Sequence, residues 1–391
     1  MALLSPERHG VDGFWWLRNF PKERAVSRYT MGAPAQMRQL SGQLSEGAAL
    51  QKALIALVLV QCLWLGSTPS AVAEVDLSGT YNIATLTPVQ RPEMYGESLY
   101  LTKAQAQKMA DGFQQYARQA NKVSDPNRQA PPEGGKVGGY NAFWIDRGEG
   151  AIALDGRFRT SLITTPSNGR IPPMNKTGAA RMAKILADWR IIWRDPDPSV
   201  SKDGSSAWWL EGNGLGPYDD LEQRPLAERC IIGSRSTAGP PMLPNYYNNF
   251  KRIVQTKDHV MILTEMNHDA RIVRMNAKHR QPGVQTWLGD SVGHWEGDTL
   301  VVQTKNFGTT PPLSGSDENL VVVERFSKTA TGELKYQFEV TDPTVWDSTW
   351  GGEYPWIPSG DKVYEYACHE GNYALGNIMR GARLLEREAA R

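Results

Sequence analysis

Much that would announce a function is missing from this chain, and each absence excludes something. No glycine-rich phosphate loop follows a strand. Gly212 to Gly216 (GNGLG) lacks both the strand before it and the helix after it, so it fails as a dinucleotide fingerprint. There is no G-x-S-x-G elbow, no HExxH and no His-rich spacing, so the common serine-hydrolase and zinc signatures drop out. Neither sign of charge is in excess: 43 Lys and Arg face 42 Asp and Glu, for a net charge of +1. With no basic run, nucleic acid is not a natural partner. Cysteine is scarce, at three residues. No apolar run reaches the roughly 20 residues of a membrane span.

The apolar run that is present, Ala53 to Gly66 (ALIALVLVQCLWLG), follows Arg38 and Lys52 and precedes Ser70-Ala71-Val72-Ala73. A basic flank, a short apolar stretch and an A-x-A site make up a secretory signal peptide. Cys62 follows Val60-Gln61 rather than a small residue, which argues against lipidation. Residues 1–50 read as a leader or as an extension upstream of a start at Met31 or Met37, with an N-terminal anchor helix as the alternative. Residues 51–73 read as the signal peptide. Residues 74–391 read as one mature β-rich domain, periplasmic or secreted, with no stable membrane span. Cys62 falls inside the signal, leaving Cys230 and Cys368 as an even pair in an oxidising compartment. A disulfide is the plain reading; a thiol nucleophile and two buried thiols are the alternatives.

The mature part is β in character, with two helical insertions near 102–120 and 178–193 and a charged, helical tail from Ala374. Thr102 is placed to cap the first insertion. Residues 141–146 and 159–165 read as strands, and Ser167-Asn168-Gly169 as a turn. The Thr341–Gly360 stretch, rich in aromatics and proline, reads as a loop. From Arg229 on, short alternating runs predominate. Leu300, Val302 and Thr304 share a face, as do Leu320, Val322, Glu324 and Phe326, and Tyr336, Phe338 and Val340. Short strands with turns between them predict a mainly β fold: a lipocalin-like barrel or a sandwich meander with a few flanking helices.

Candidate chemistry gathers at turns. A two-residue turn at Asn267-His268 would pair Thr264 with Arg271. It would set Thr264, Asp269 and Arg271 on one face, make Asp269 and Arg271 partners, and put Glu265 on the other face. Among these, His268 is a proton-transfer candidate, with Asp269 or Glu265 to orient it and Arg271 to hold a substrate oxygen. The plainer alternative is a capped turn with an ion pair. His294, Glu296 and Asp298 surround a tight turn at Glu296-Gly297-Asp298 and are too few for a metal, so no metal is assigned. Tyr366 to Tyr373 (YACHEGNY) supplies His369 as a further proton-transfer candidate, or simply a turn before the last helix. Trp346, Trp350, Tyr354 and Trp356 carry more aromatic surface than a loop exposes cheaply. They either pack in the core or line a ligand pocket.

The stretches RTSLITTPSNGRIPP, ERCI, GPPMLPNYYNN, RIVQTKDHVMILTEMNHDARIV, WLGDSVGHWEGDTLVVQTKNF, ENLVVVERF, TDPTVW, EYPW and YEYACHEGNY together resemble an uncharacterised family of secreted bacterial β-rich proteins, over most of the mature chain. The family usually carries a His where Val321 stands. Cys230 and Cys368 both fall within family stretches, which implies a paired structural role. No activity comes with the resemblance. Three functions are expected in descending order. The first is a cofactor-independent lyase, dehydratase or isomerase acting on a small hydrophobic or aromatic molecule. The second is a non-catalytic lipocalin-like binder for such a ligand, and the third a structural or interaction module of the cell envelope.

Overall fold

The computed structural model describes residues 75–130, 141–193, 216–233, 236–310, 313 and 315–391, and only the backbone of 186–193. All belong to the unit Val72–Arg391. The leader 1–50, the signal-type segment 51–73, the Trp208-Trp209 loop and most of GNGLG lie outside the described residues.

Twelve strands are described: β1 (Gly79–Asn82), β2 (Ala153–Leu154), β3 (Arg157–Phe158), β4 (Ile163–Thr165), β5 (Phe250–Gln255), β6 (His259–Thr264), β7 (Ala270–Met275), β8 (Asp290–Glu296), β9 (Thr299–Lys305), β10 (Val321–Lys328), β11 (Leu334–Thr341) and β12 (Trp350–Ser359). Three helices accompany them: α1 (Lys103–Ala120), α2 (Lys176–Trp193) and α3 (Tyr373–Ala389). Strands β1 and β5 to β12 close into a nine-stranded barrel, with β4 added outside β12 and β2–β3 as a separate ribbon. Nine strands cannot all alternate in direction around a closed ring, so one neighbouring pair must run parallel. That pair is β7–β8, joined by the long Asn276–Gly289 connection, while every other ring contact is antiparallel. Closure leaves the ring without a free edge. The expected mainly β barrel with few helices is what forms.

Alternation sets the interior. Ile253, Val260, Ile262, Val273, Leu300, Val302, Val322, Phe326, Tyr336, Phe338 and Val340 all point inward and are buried. An aromatic cluster centres on Tyr336, whose ring lies 5.1 Å from Phe326, 5.0 Å from Trp356, 5.5 Å from Tyr354 and 5.8 Å from Phe338. Such offset and edge contacts add to the burial term. The wall residues do not fill the lumen alone. Ser236 to Leu243 is buried throughout and enters the barrel as a plug, with cis peptides at Gly239–Pro240 and Pro240–Pro241. Gly239 has φ +67°, and a Cβ there would meet Met242 Cγ at 2.6 Å, so glycine is required.

Several local readings change. Residues 141–146 form no strand; Ala142–Trp144 is a single 3-10 turn. The first half of the Thr341–Gly360 stretch is loop as expected, but its second half is strand β12, because Trp350, Tyr354 and Trp356 fall in the inward phase and are fully buried. Pro355 and Pro358 hid this strand from sequence reasoning. None of the described residues from Arg229 to Asn249 is in a strand, since this stretch supplies the plug rather than a wall. Helix α1 starts at the expected cap, where Thr102 and Gln105 form a reciprocal capping box.

Candidate functional site

The polar interior divides into two groups. The deeper one holds the plug. Arg271 forks onto Glu324, with Nη2 donating to Oε1 at 3.0 Å, and the Glu324 side chain is fully buried. Tyr336 Oη donates to Glu324 Oε1 at 2.7 Å and accepts from the Met242 N–H at 2.9 Å. Tyr354 Oη donates to the Met242 carbonyl at 2.7 Å. Burial pushes both phenols upward, so they stay neutral donors. These contacts satisfy the Met242 N–H and C=O inside the barrel.

The second group lies at the end of the barrel where β5, β6 and β7 meet. Lys251 is buried in the same phase as Ile253, with Nζ donating to the Thr237 carbonyl at 2.7 Å. Desolvation lowers its amine to about 7, opposed by the charges of Asp269 and Glu265. Asp269, also buried, accepts from the Gly233 N–H at 2.7 Å. Desolvation raises its carboxyl to about 6, against the pull of Gly233, Lys251 and His268. Glu265 is likewise raised by burial and by the nearby Asp146 carboxyl, although the Phe250 and Tyr364 N–H groups and the Asn248 side chain favour its charged form. Asp146 is itself raised by burial. One amine pushed down and three carboxyls pushed up, all at one barrel end, is the perturbation typical of functional sites.

His268 stands at the rim. The chain turns through Asn267 (φ 59°) and His268 (φ 53°), both left-handed, a conformation asparagine tolerates well. The His268 ring is exposed, and its Nε2 accepts from the Tyr366 N–H at 2.8 Å. An imidazole that accepts at Nε2 carries its own proton on Nδ1. Outside the rim runs a groove of about 630 Å³, lined by Arg252, Leu263, His268, Lys362, Val363, Tyr364 and Glu365. Its outer wall is a strap, residues 360–372, leading from β12 to α3. At the far end of the strap the Cys230 and Cys368 sulfurs lie at disulfide distance, 2.00 Å, as the cysteine count led one to expect. Asn372 Nδ2 donates to the Glu228 carbonyl at 3.3 Å beside that link.

Of the expected proton-transfer residues, Glu265, His268 and Asp269 come together at this barrel end. The β6–β7 register differs from the expected one by two residues. Ile262 faces Arg271 and Leu263 faces Ala270, because Glu265 and Met266 bulge into the turn. A shift of two preserves the face, so Thr264, Asp269 and Arg271 still point inward together. The expected Asp269–Arg271 partnership does not form, since Glu324 claims Arg271. Glu265, expected on the opposite face, is buried near Lys251 because its helical φ/ψ breaks the alternation. His369 is exposed on the strap, three residues beyond the His268 contact. Trp346, Trp350, Tyr354 and Trp356 pack into the core, which favours the packing alternative for them. His294 hydrogen-bonds Glu296 at 3.1 Å on an exposed hairpin, as residues two apart on a strand should. Among the described residues no group of three potential ligands could hold a metal ion.

Sequence reasoning missed Lys251, Asp146, Arg252 and Lys362. Lys251 was legible in part, being a lysine in phase with Ile253 on an inward face. Asp146 carries no signal, because only the tertiary fold brings it to Glu265. Comparison with protein-family models, with curated proteins and with solved structures finds no match for this chain.

Proposed function

We propose that the chain is an exported, cofactor-independent acid–base enzyme of the lyase, dehydratase or isomerase kind. It would act on a small hydrophobic or aromatic molecule bound in the groove beside His268. The single observation that carries this reading is a groove-wall histidine backed by a buried carboxyl, Asp269, lifted to about 6. In this reading His268 keeps its own proton on Nδ1, exchanges the Tyr366 contact for the substrate and takes or returns the substrate proton at Nε2, while Asp269 orients the ring and balances the charge it gains. Leu263, Val363 and Tyr364 receive the apolar body. Arg252 and Lys362 hold a substrate oxygen, the role Arg271 cannot take while it is bound to Glu324. His369 can assist from the strap. Export is supported by the signal-type segment 51–73 and by the Cys230–Cys368 pair, which suits an oxidising compartment. The chain would then be one of the secreted bacterial β-rich proteins that its sequence resembles.

A non-catalytic binder is the second reading, favoured by one observation: His268 Nε2 is already occupied by Tyr366. A screen of small aromatic acids, alcohols and ketones by thermal shift, followed by product detection, separates the two. The enzyme reading expects a hit that is converted, with turnover about 10²-fold or more lower in His268→Ala and the thermal shift retained. A hit converted equally well by His268→Ala removes His268 from the chemistry. A hit that binds and is never converted leaves the binder.

A further inference from the structure

The strap that walls the groove is held against the barrel by an unusual choice of acceptors. One backbone donor, the Tyr366 N–H, ends on a titratable side chain rather than on a carbonyl, donating to His268 Nε2 at 2.8 Å. A second, the Tyr364 N–H, lies where it favours the charged form of Glu265. The remainder of the strap from Asp361 to Glu370 is half-exposed or exposed, and Tyr364 is 70% exposed. At one end the chain is fixed in β12, and at the other it is fixed covalently through Cys368.

We infer that the 360–368 strap is an acid-released latch over the groove, with His268 as its catch, regulating access to the site proposed above. A neutral imidazole offers one acceptor, and a doubly protonated ring offers none. Taking up a proton at Nε2 therefore sets two donors, the ring N–H and the Tyr366 N–H, against each other. The neighbouring charges agree. Arg252 from β5 and Lys362 from the strap share the groove with His268, so a cationic ring is repelled from that wall. Glu365 is the opposing charge in the lining. Asp269, just before β7, attracts the ring only while it is ionised, and its carboxyl is raised to about 6. The second anchor weakens in the same direction. Glu265, facing Asp146 and Lys251, attracts the Tyr364 N–H more strongly as a carboxylate than as a neutral acid. The disulfide keeps the released strap tethered, so the opening is reversible.

This inference rests on the groove being the working site, but its test does not need a substrate. Hydrogen exchange of the Tyr364 and Tyr366 amides, corrected for intrinsic rates, is measured at pH 7.5 and pH 5.0 with the disulfide intact. The wild type should lose about tenfold in protection at the lower pH, the equivalent of one lost hydrogen bond of about 1.4 kcal/mol. His268→Gln offers an amide oxygen that does not titrate and should hold Tyr366 equally at both pH values. His268→Ala should be unprotected at both. Equal protection of the wild type at the two pH values overturns the latch, and so does pH-dependent loss at the Tyr366 amide in His268→Gln. If the strap opens with acid while no compound in the screen perturbs the groove, the functional reading fails and the latch stands. If hits are converted while the strap never opens, the latch alone fails.

Discussion

Two residues define what the barrel interior asks of its polar side chains. Glu324 has no exposure and answers to Arg271 and Tyr336 together. Removing it leaves a buried guanidinium without a counter-charge, which costs far more than the pair is worth as a unit. Glu324→Ala should lose about 3–5 kcal/mol in a denaturant titration. The double change Arg271→Met with Glu324→Leu should recover most of that loss. A single variant within about 1 kcal/mol of wild type would mean that water reaches the pair. Lys251 shows the other case. With a native value of about 7 against 10.5 unfolded, its burial penalty is complete below pH 7 and is relieved as pH rises toward 10.5. Such a cost is retained where the neutral amine or its neighbours serve something other than stability.

At the scale of elements, the alternation of apolar residues made β9, β10 and β11 legible, and it put Glu324 on the same face as Val322 and Phe326. The Thr102 cap and the Gly297 turn were equally readable, because each depends on residues within one turn of chain. What was not readable depends on distant chain. Strand β12 carries Pro355 and Pro358, and both are accommodated because Pro355 is paired with β11 alone and Pro358 with β1 alone, so each lies where the strand has one open side. The plug could not be foreseen from GPPM, since nothing local says that Tyr336 and Tyr354 will wait for Met242. The β6–β7 turn missed by two residues because Glu265 left the strand conformation. The candidate site survived that error because side-chain direction repeats every two residues. Arg271, by contrast, left the candidate site because its partner stands 53 positions away.

For the whole molecule, the Cys230–Cys368 link ties the segment before the plug to the strap before α3, across 138 positions of chain. Helix α3 presents few other holds: only Ala382 is buried, beside Tyr218 and Leu385. Arg383 Nη2 adds a bond to the Tyr218 carbonyl at 2.7 Å. The covalent link therefore secures the strap and the helix more than it secures the ring. Replacing both cysteines by serine should lower the local opening free energy of the strap and α3 by about 2–5 kcal/mol. Hydrogen exchange should rise across residues 360–389 and stay unchanged in β9, β10 and β11. Uniform loosening of the barrel would instead make the link a clamp on the core.

The central claim is that the β5–β7 end of the barrel holds ionisable groups away from their preferred charge for proton transfer, and Asp269 tests it. Its native carboxyl sits at about 6 and its unfolded one near 3.8, so the folded state binds more protons between those values. The penalty for ionised Asp269 is thus absent below about pH 4, grows through pH 6 and is complete above it. Asp269→Asn keeps an oxygen for the Gly233 N–H. Its unfolding free energy, measured from pH 4 to pH 7.5, should exceed wild type by about 1–2 kcal/mol at pH 7.5 and match it at pH 4. Turnover of any hit should fall. A variant that is less stable than wild type by the same amount at both ends of the range would contradict the claim and make Asp269 an ordinary structural acceptor.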